Sequence, residues 1–420
     1  MTAAQHVVVL GGGVIGVATA WFLSRTGCRI TLIERRNAAA LETSFANGGL
    51  ITPSMSDPWA APETPLLMLK WMGREESPFL LRLRALPGLA PWGVKFLYQC
   101  SRGRWRQNTE TALRLCKFSQ ESLRDLVQET GVEYESSRRG TLRLIRDSRS
   151  MDKLGRTAGL LRELGVQSRT LDPAACVVLE PALRDHVERI AGGIHYPDDE
   201  AGNARLFTQR LAAICASAGV TFRYGEAAEA IEVDGGRFSG VRTSAGRVDA
   251  DACVVALGTG STALLRPLGI GLPIYPVKGY SVTFPVANWN GAPVVPFTDE
   301  FHKVGIVRIG DCVRVAGTAE FAGYDKSPNA RRTRHLRDVF LSLFPDYPDP
   351  GMGEEWAGLR PVTPQGTPYL GPTPIRGLYL NAGHGHLGWT MACGSARIVA
   401  NLLRGQEPEI DLTGLTLQDR

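Results

Sequence analysis

The apolar positions near the start of the chain switch between two periods. HVVVL (6–10) is an unbroken apolar run of strand length, Val17–Arg25 repeats apolar residues at helical spacing as far as Gly27, and Arg29–Ile33 is a second apolar run ending at Glu34. Unbroken apolar strands joined by a helix predict a βαβ unit in a sheet buried on both faces. Farther along, 107–185 carries helical patterns such as NTETALRLCKFSQESLRDLVQETG. Residues 219–262 read as a strand, a hairpin and the apolar strand Ala252–Leu257, and 263–375 is richer in short strands (YSVTF, KVGIVRI, DCVRVAGTAEF). No internal repeat or low-complexity segment appears.

The turn between the first strand and helix places Gly11, Gly13 and Gly16 in G-x-G-x-x-G spacing. The first glycine allows the tight turn, the second lets backbone approach a pyrophosphate, and the third lets helix and strand pack closely. Phosphates would sit on the helix N-terminus, where free N–H groups and the dipole favour negative charge. Glu34, 18 residues beyond Gly16, stands at the end of the second strand, where a carboxylate can accept from a ribose diol. The next stretch, ETSFANGGLITPS (42–54), is small and hydroxylated, with Thr43, Ser44, Asn47, Gly48 and Gly49. It suits an extended FAD, which reaches well past the first βαβ unit, as does a dinucleotide fold that resumes at 219–262 after a long insertion. Non-covalent FAD is the expected cofactor.

Composition adds limits. At 420 residues and 44% apolar, the chain is long enough for two domains, and a net charge of +5 is too weak to point to nucleic acid. The eight scattered cysteines, without C-x-x-C, read as reduced thiols of a cytosolic protein, with zinc not expected. No uncharged run long enough to span a bilayer occurs. The apolar start lacks the basic flank of a signal peptide and is accounted for by the nucleotide motif.

The chain resembles the glycine oxidase/D-amino acid oxidase class of flavoproteins, and within it the bacterial D-amino acid dehydrogenase small subunits. VVVLGGGVIGVATAWFLS, ETSFANGGLITPSMSDPWAAP, GTLRL, LFTQRLA, YPVKGYSVTFP, WAGLRPVTPQGTPYLGPT and NAGHGHLGWTMACGSARIVANLL carry the likeness, in order, along nearly the whole chain. Ala46, Asn47 and the following glycines depart from it, in a loop where relatives vary. The expected fold is α/β (α+β, two-domain), a Rossmann-like FAD-binding domain interleaved with an antiparallel-sheet substrate domain. The pieces 1–56, 190–270 and 355–420 are assigned to the first; 57–189 and 271–354 to the second, whose sheet would roof the flavin.

The resemblance implies oxidative deamination of D-amino acids to 2-oxo acids and ammonia, by hydride transfer from Cα to flavin N5. Arg360, in AGLRPVTP, matches the arginine that related oxidases place on the substrate carboxylate, and a guanidinium suits that planar partner. Tyr280 and Lys278 are further pocket candidates, and Thr52 and Ser54 follow the flavin loop. NAGHGHLGWT (381–390) precedes a helix beginning near Thr390, whose positive end would face the flavin N1–C2=O edge, with the Thr390 hydroxyl as a cap. Its His384 and His386 lack further ligands for a metal, so none is expected. His386 is kept as a catalytic candidate, although the glycines matter more than the imidazoles. Cofactor contacts are expected from Gly11, Gly13, Val14, Ile15 and Gly16, from Glu34 and Arg35, and from Thr43, Ser44, Asn47, Gly48, Gly49 and Leu50. Ala228, Gly258, Gly385, Leu387, Gly388, Trp389 and Thr390 complete the set.

Related dehydrogenases pass electrons to a membrane quinone, and residues 57–106 point the same way. They hold four of the eight tryptophans (59, 71, 92, 105) and eight Lys/Arg against four Asp/Glu. Apolar, tryptophan-bearing and basic together suit an interfacial segment, so peripheral attachment to the inner face of the cell membrane is expected. An alternative is the same chemistry on D-hydroxyproline, sarcosine or glycine, with or without oxygen as acceptor. A relay subunit that only binds flavin is a different class, against which Arg360 argues. Side-chain preference and oligomeric state are not legible.

Overall fold

The computed structural model describes residues 5–71, 75 and 77–419, leaving out the side chains of Leu69 and Trp71. Its first half is built on a six-stranded sheet in the order Tyr369–Pro372, Leu378–Ala382, Ala252–Val255, His6–Leu10, Arg29–Glu34, Thr221–Tyr224, parallel except for the first strand. HVVVL is central and buried on both sides. Val7 and Val9 pack with the helices Val14–Ser24, Ala204–Ser217 and Gly388–Leu403. Val8 and Leu10 pack toward a three-stranded meander (Ala228–Asp234, Arg237–Thr243, Gly246–Asp249). Alternation across a strand thus feeds two separate apolar layers, which is why the run is continuously apolar.

The second half is a mostly antiparallel nine-stranded sheet. Its main path runs Glu354–Val362, Tyr275–Pro285, Cys312–Phe321, Val304–Ile309, Phe297–Asp299, Thr141–Ile145, Gly192–Tyr196, Arg169–Leu171, with Phe79–Leu81 joined to Cys312–Phe321. The helix Ala330–Leu343 covers one face through Leu336, Val339 and Phe340. The opposite face turns toward the dinucleotide half.

Three segments fall elsewhere than the sequence boundaries put them. Gly192–Tyr196 and Glu354–Val362, expected in the dinucleotide half, hydrogen-bond into the large sheet. The helix Arg102–Thr130, expected in the substrate half, packs on Gly388–Leu403. A Cβ at Gly394 would come within 2.6 Å of Ser119 Cα, and Ser119 Oγ accepts from Gly394 N at 3.0 Å. The periodicity of 102–130 marks its apolar stripe but not the partner of that stripe. All eight cysteines are free thiols.

Candidate active site

The two halves enclose a cavity of about 1370 Å³. The three motif glycines do different work in it. Gly11 has φ +109°, and a Cβ there would lie 2.6 Å from the Ala256 carbonyl oxygen. A Cβ on Gly16 would reach within 1.8 Å of the Gly11 oxygen, so this glycine serves helix–strand packing; it does not border the cavity, correcting its place among the cofactor contacts. Gly13 does border it, with only Ser44 Oγ, at 3.5 Å, near its missing side chain. Glu34 accepts from Gly12 N (2.6 Å) and Arg36 N (2.8 Å), turning its buried carboxylate to the groove floor, and Arg35 is held by Glu42 at 2.7 Å.

The 42–50 loop is pinned between the halves. Ser44 Oγ accepts from Val14 N at 3.1 Å, the Thr43 hydroxyl donates to the Leu359 carbonyl at 2.8 Å, and Ser281 donates to the Ala46 carbonyl at 2.8 Å. Val14, Ile15, Thr43, Ser44, Asn47, Gly48, Gly49, Leu50, Ala228 and Gly258 all border the cavity. So do Gly385, Leu387, Gly388, Trp389 and Thr390 from the other end of the chain.

The C-terminal helix starts at Gly388 with no side-chain cap. Thr390 does not cap it: its hydroxyl oxygen accepts from Thr52 N at 3.1 Å. Trp389 buries its ring against Phe207, 4.8 Å between centroids. His384 and His386 are held uncharged by burial, the first with its pKa lowered to about 3 and the second to about 4, where the Arg360 charge adds to burial. His386 stacks on Trp59, rings 5.0 Å apart.

Arg360 faces the cavity. Its Nη1 donates to the Thr318 carbonyl at 2.9 Å, and burial lowers its pKa to about 10. Among the described residues no carboxylate pairs with it. Thr318 sits at φ +60°, where a β-branched residue is strained by roughly 1–3 kcal/mol, and it lies at the irregular register between Lys278↔Glu320 and Tyr280↔Gly317. That bulge turns its carbonyl to the guanidinium.

Other sequence candidates point away. Lys278 is absent from the cavity lining; its ammonium pairs with Asp325 at 3.0 Å and donates to the Ser327 carbonyl. Tyr280 borders the cavity, but its hydroxyl donates to Glu320. Both stand two apart on one side of their strand, opposite Gly279, on which Arg360 lies, so alternation alone separates them from it. Ser54 is buried on Asp199, its hydroxyl donating at 2.5 Å. Thr52 borders the cavity.

Trp59, Trp92 and Trp105, three of the four tryptophans of 57–106, turn inward, against the expectation that they sit in a membrane. Trp92 is 5% exposed and donates to the Val362 carbonyl at 3.0 Å, and Trp59 and half-buried Trp105 border the cavity. The Trp71 side chain lies outside the described residues. Sequence reading missed Trp59, Thr318 and Trp356 as cavity residues. Trp59 and Trp356 lie within the quoted SMSDPWAAP and WAGLRPVTPQGTPYLGPT stretches, and Thr318 within a quoted strand pattern, but none of these signals singled the residue out.

These features fit an extended dinucleotide beside a small carboxylate: a glycine turn open at Gly13, an uncapped helix end and an unpaired guanidinium share one cavity. The family model for FAD-dependent oxidoreductases matches residues 6–402. D-amino acid dehydrogenases of Paramagnetospirillum magneticum and Methylobacterium nodulans are 48% and 47% identical to the chain, each match covering 98% of both proteins. Glycine oxidase from Geobacillus kaustophilus superposes with a TM-score of 0.76 at 23% identity, covering 99% of both chains. L-proline dehydrogenase from P. horikoshii does so at 0.75 and 19%, covering 97% of this chain and 95% of its own. The chain belongs to the FAD-dependent oxidoreductase family, and its cofactor is FAD.

Proposed function

We propose that the enzyme oxidises D-amino acids to imino acids, which water hydrolyses to 2-oxo acids and ammonia, and that the electrons leave to a quinone or another acceptor that is not oxygen. One observation carries the reading: Arg360 is a cavity-facing cation without a carboxylate partner among the described residues. A cavity-facing guanidinium with no carboxylate beside it among the described residues is free to take a substrate carboxylate through two parallel hydrogen bonds. The relatives named D-amino acid dehydrogenase support the substrate class.

FAD supplies the hydride acceptor when bound. Gly11, Gly13, Val14 and Ile15 would hold its pyrophosphate at the helix N-terminus, and Glu34 with Arg35 its ribose end. The 43–50 loop, Ala228 and Gly258 would line the remainder. Backbone N–H groups of Gly388, Trp389 and Thr390 present the positive end of a helix, which favours negative charge there. His386, uncharged above about pH 4, leaves Arg360 as the cation for the carboxylate. Backbone carbonyls at Gly385–Leu387 would accept from the substrate amine and hold Cα in register. Anaerobic titration with D- and L-amino acids, glycine, sarcosine and D-hydroxyproline tests this by flavin absorbance. Bleaching by D-amino acids is expected; bleaching only by the glycine derivatives would replace the substrate.

The acceptor reading rests on the helix Leu86–Gln99. Among the described residues, 57–106 supplies six of the thirteen large apolar side chains that are exposed, four of them on this helix: Leu86, Val94, Leu97 and Tyr98. Its other face, Leu89, Trp92 and Phe96, packs inside, while Arg84, Lys95 and Arg102 are exposed around it. No helix among the described residues is long and apolar enough to cross a membrane. An outward apolar face ringed by cations suits a helix lying in anionic headgroups, within reach of a membrane quinone.

A further inference from the structure

One segment of the second half crosses the dinucleotide groove. Residues 322–327, between the strand Cys312–Phe321 and the helix Ala330–Leu343, reach the first half at two points. The Tyr324 hydroxyl donates to the Thr259 carbonyl at 3.4 Å, and the Lys326 ammonium donates to Glu42. These points lie on opposite sides of the glycine turn. Thr259 follows the strand Ala252–Val255 and Glu42 follows Arg29–Glu34, while His6–Leu10, which leads into Gly11 and Gly13, runs between those two strands. The segment is therefore a strap across the turn, and Tyr324, Lys326, Thr259 and Glu42 all border the cavity.

The strap is fixed at its base and only latched at its tip. Asp325 accepts from Ser327 N at 2.9 Å and from the Lys278 ammonium at 3.0 Å, and Lys278 also donates to the Ser327 carbonyl at 3.1 Å. With its side chain only 2% exposed, Lys278 anchors the strap, which accounts for its turning away from the cavity. Lys326 and Glu42 keep 39% and 28% of their side chains exposed, so water competes for that pair. Glu42 also takes Arg35 and Arg36, at 2.7 and 2.8 Å, and so retains cationic partners when Lys326 leaves it.

We propose that residues 322–327 are a clasp on FAD, locked by the Lys326–Glu42 pair, and that FAD enters and leaves only while this pair is open. FAD carries a ring system at each end of its pyrophosphate, and a strap closed over the turn blocks the passage of either. Lys326 is then a positioning residue for the cofactor that acts through Glu42. The clasp is independent of which amine the enzyme oxidises.

The test follows the cofactor and needs no turnover. Holoenzyme is diluted, and released FAD is read by absorbance after ultrafiltration. Lys326→Met and Glu42→Gln should each speed release about three- to fivefold, as expected for a half-exposed ion pair. The double variant should be no faster than either single one, because both remove the same pair. Lys326→Arg should stay within twofold of wild type. If Lys326 acts directly on the pyrophosphate, Glu42→Gln would slow release while Lys326→Met speeds it, and the clasp is wrong. Single variants within twofold of wild type, or effects that multiply in the double variant, would also overturn it. A second experiment does not depend on the strength of the pair: Lys326→Cys is combined with Glu42→Cys and the two thiols are joined by a short bismaleimide. Linked holoenzyme should keep its flavin on dilution and linked apoenzyme should take up none, while wild type treated with the same reagent exchanges flavin normally. Uptake by linked apoenzyme at the wild-type rate would show that FAD enters by another path.

Discussion

Arg360 lies across Gly279. A Cβ on that glycine would stand 2.1 Å from Arg360 Nη1, so the guanidinium occupies space that any side chain would take. The two residues are on neighbouring strands, where Gly279 pairs with Gly358 and Val277 with Arg360. Gly279→Ala should therefore displace the guanidinium while leaving the sheet and the distant dinucleotide groove intact. The expected result is KM for D-amino acids raised about tenfold or more, with the FAD content of the purified protein unchanged. A KM within twofold of wild type would mean that Arg360 binds substrate from another position.

Removing the cation tests the clamp directly. Arg360→Ala should raise KM roughly a hundredfold, about 3 kcal/mol, through loss of a charge-assisted bidentate pair. Arg360→Lys should recover only part of this, because an ammonium cannot match two oxygens in one plane. Flavin absorbance during purification checks that the cofactor site is untouched.

Asp199 gives a pH signature in stability. Burial raises its pKa to about 6, outweighing the hydrogen bonds from Ser54 and Thr141, which lower it. The folded protein thus holds this proton more tightly than the unfolded chain does. The stability it contributes is complete below about pH 4 and is lost as pH rises through about 6, up to roughly 3 kcal/mol. Asp199→Asn cannot ionise, so its melting temperature should gain on wild type between pH 4 and 7. Parallel curves would show that the carboxylate is accommodated without that penalty.

Flavin should leave with acid. The sequence offers no recognised attachment motif, and the cavity presents backbone and hydroxyl groups for holding the cofactor. Trichloroacetic acid should put all the yellow colour in the supernatant; colour in the pellet would establish a covalent bond.

The helix Leu86–Gln99 separates two roles for 57–106. Leu86→Ser with Val94→Ser and Leu97→Ser should weaken binding to anionic liposomes and lower turnover with liposome-borne quinone, leaving dye-linked activity with a soluble acceptor intact. Wild-type binding should fall as salt rises, since screening removes the contribution of the basic ring. Trp92→Ser should instead lower the melting temperature, because it empties a buried indole site at a cost of about 3 kcal/mol or more. Wild-type protein that ignores anionic liposomes at low salt would refute membrane attachment through this face.

The local grammar of the dinucleotide turn was determined by sequence alone. An apolar run, three spaced glycines, a helix and Glu34 form a structure whose contacts lie within the first forty residues or on its own strand neighbours, so period and spacing suffice. Arg360 was likewise legible by its motif. What the tertiary structure decided was direction and partner. Lys278 and Arg360 both lie in strongly patterned strands, but the pairing of Tyr275–Pro285 with Glu354–Val362 sends one to Asp325 and lays the other over Gly279. The tryptophans of 57–106 look interfacial by composition, yet Trp92 enters a core built with Tyr275, Phe321 and Val362 from far along the chain. Composition records that a segment has apolar surface to cover. Only long-range packing decides which face is covered, and by what; here it buries Trp92, stacks Trp59 on His386, and leaves Leu86, Val94 and Leu97 outside.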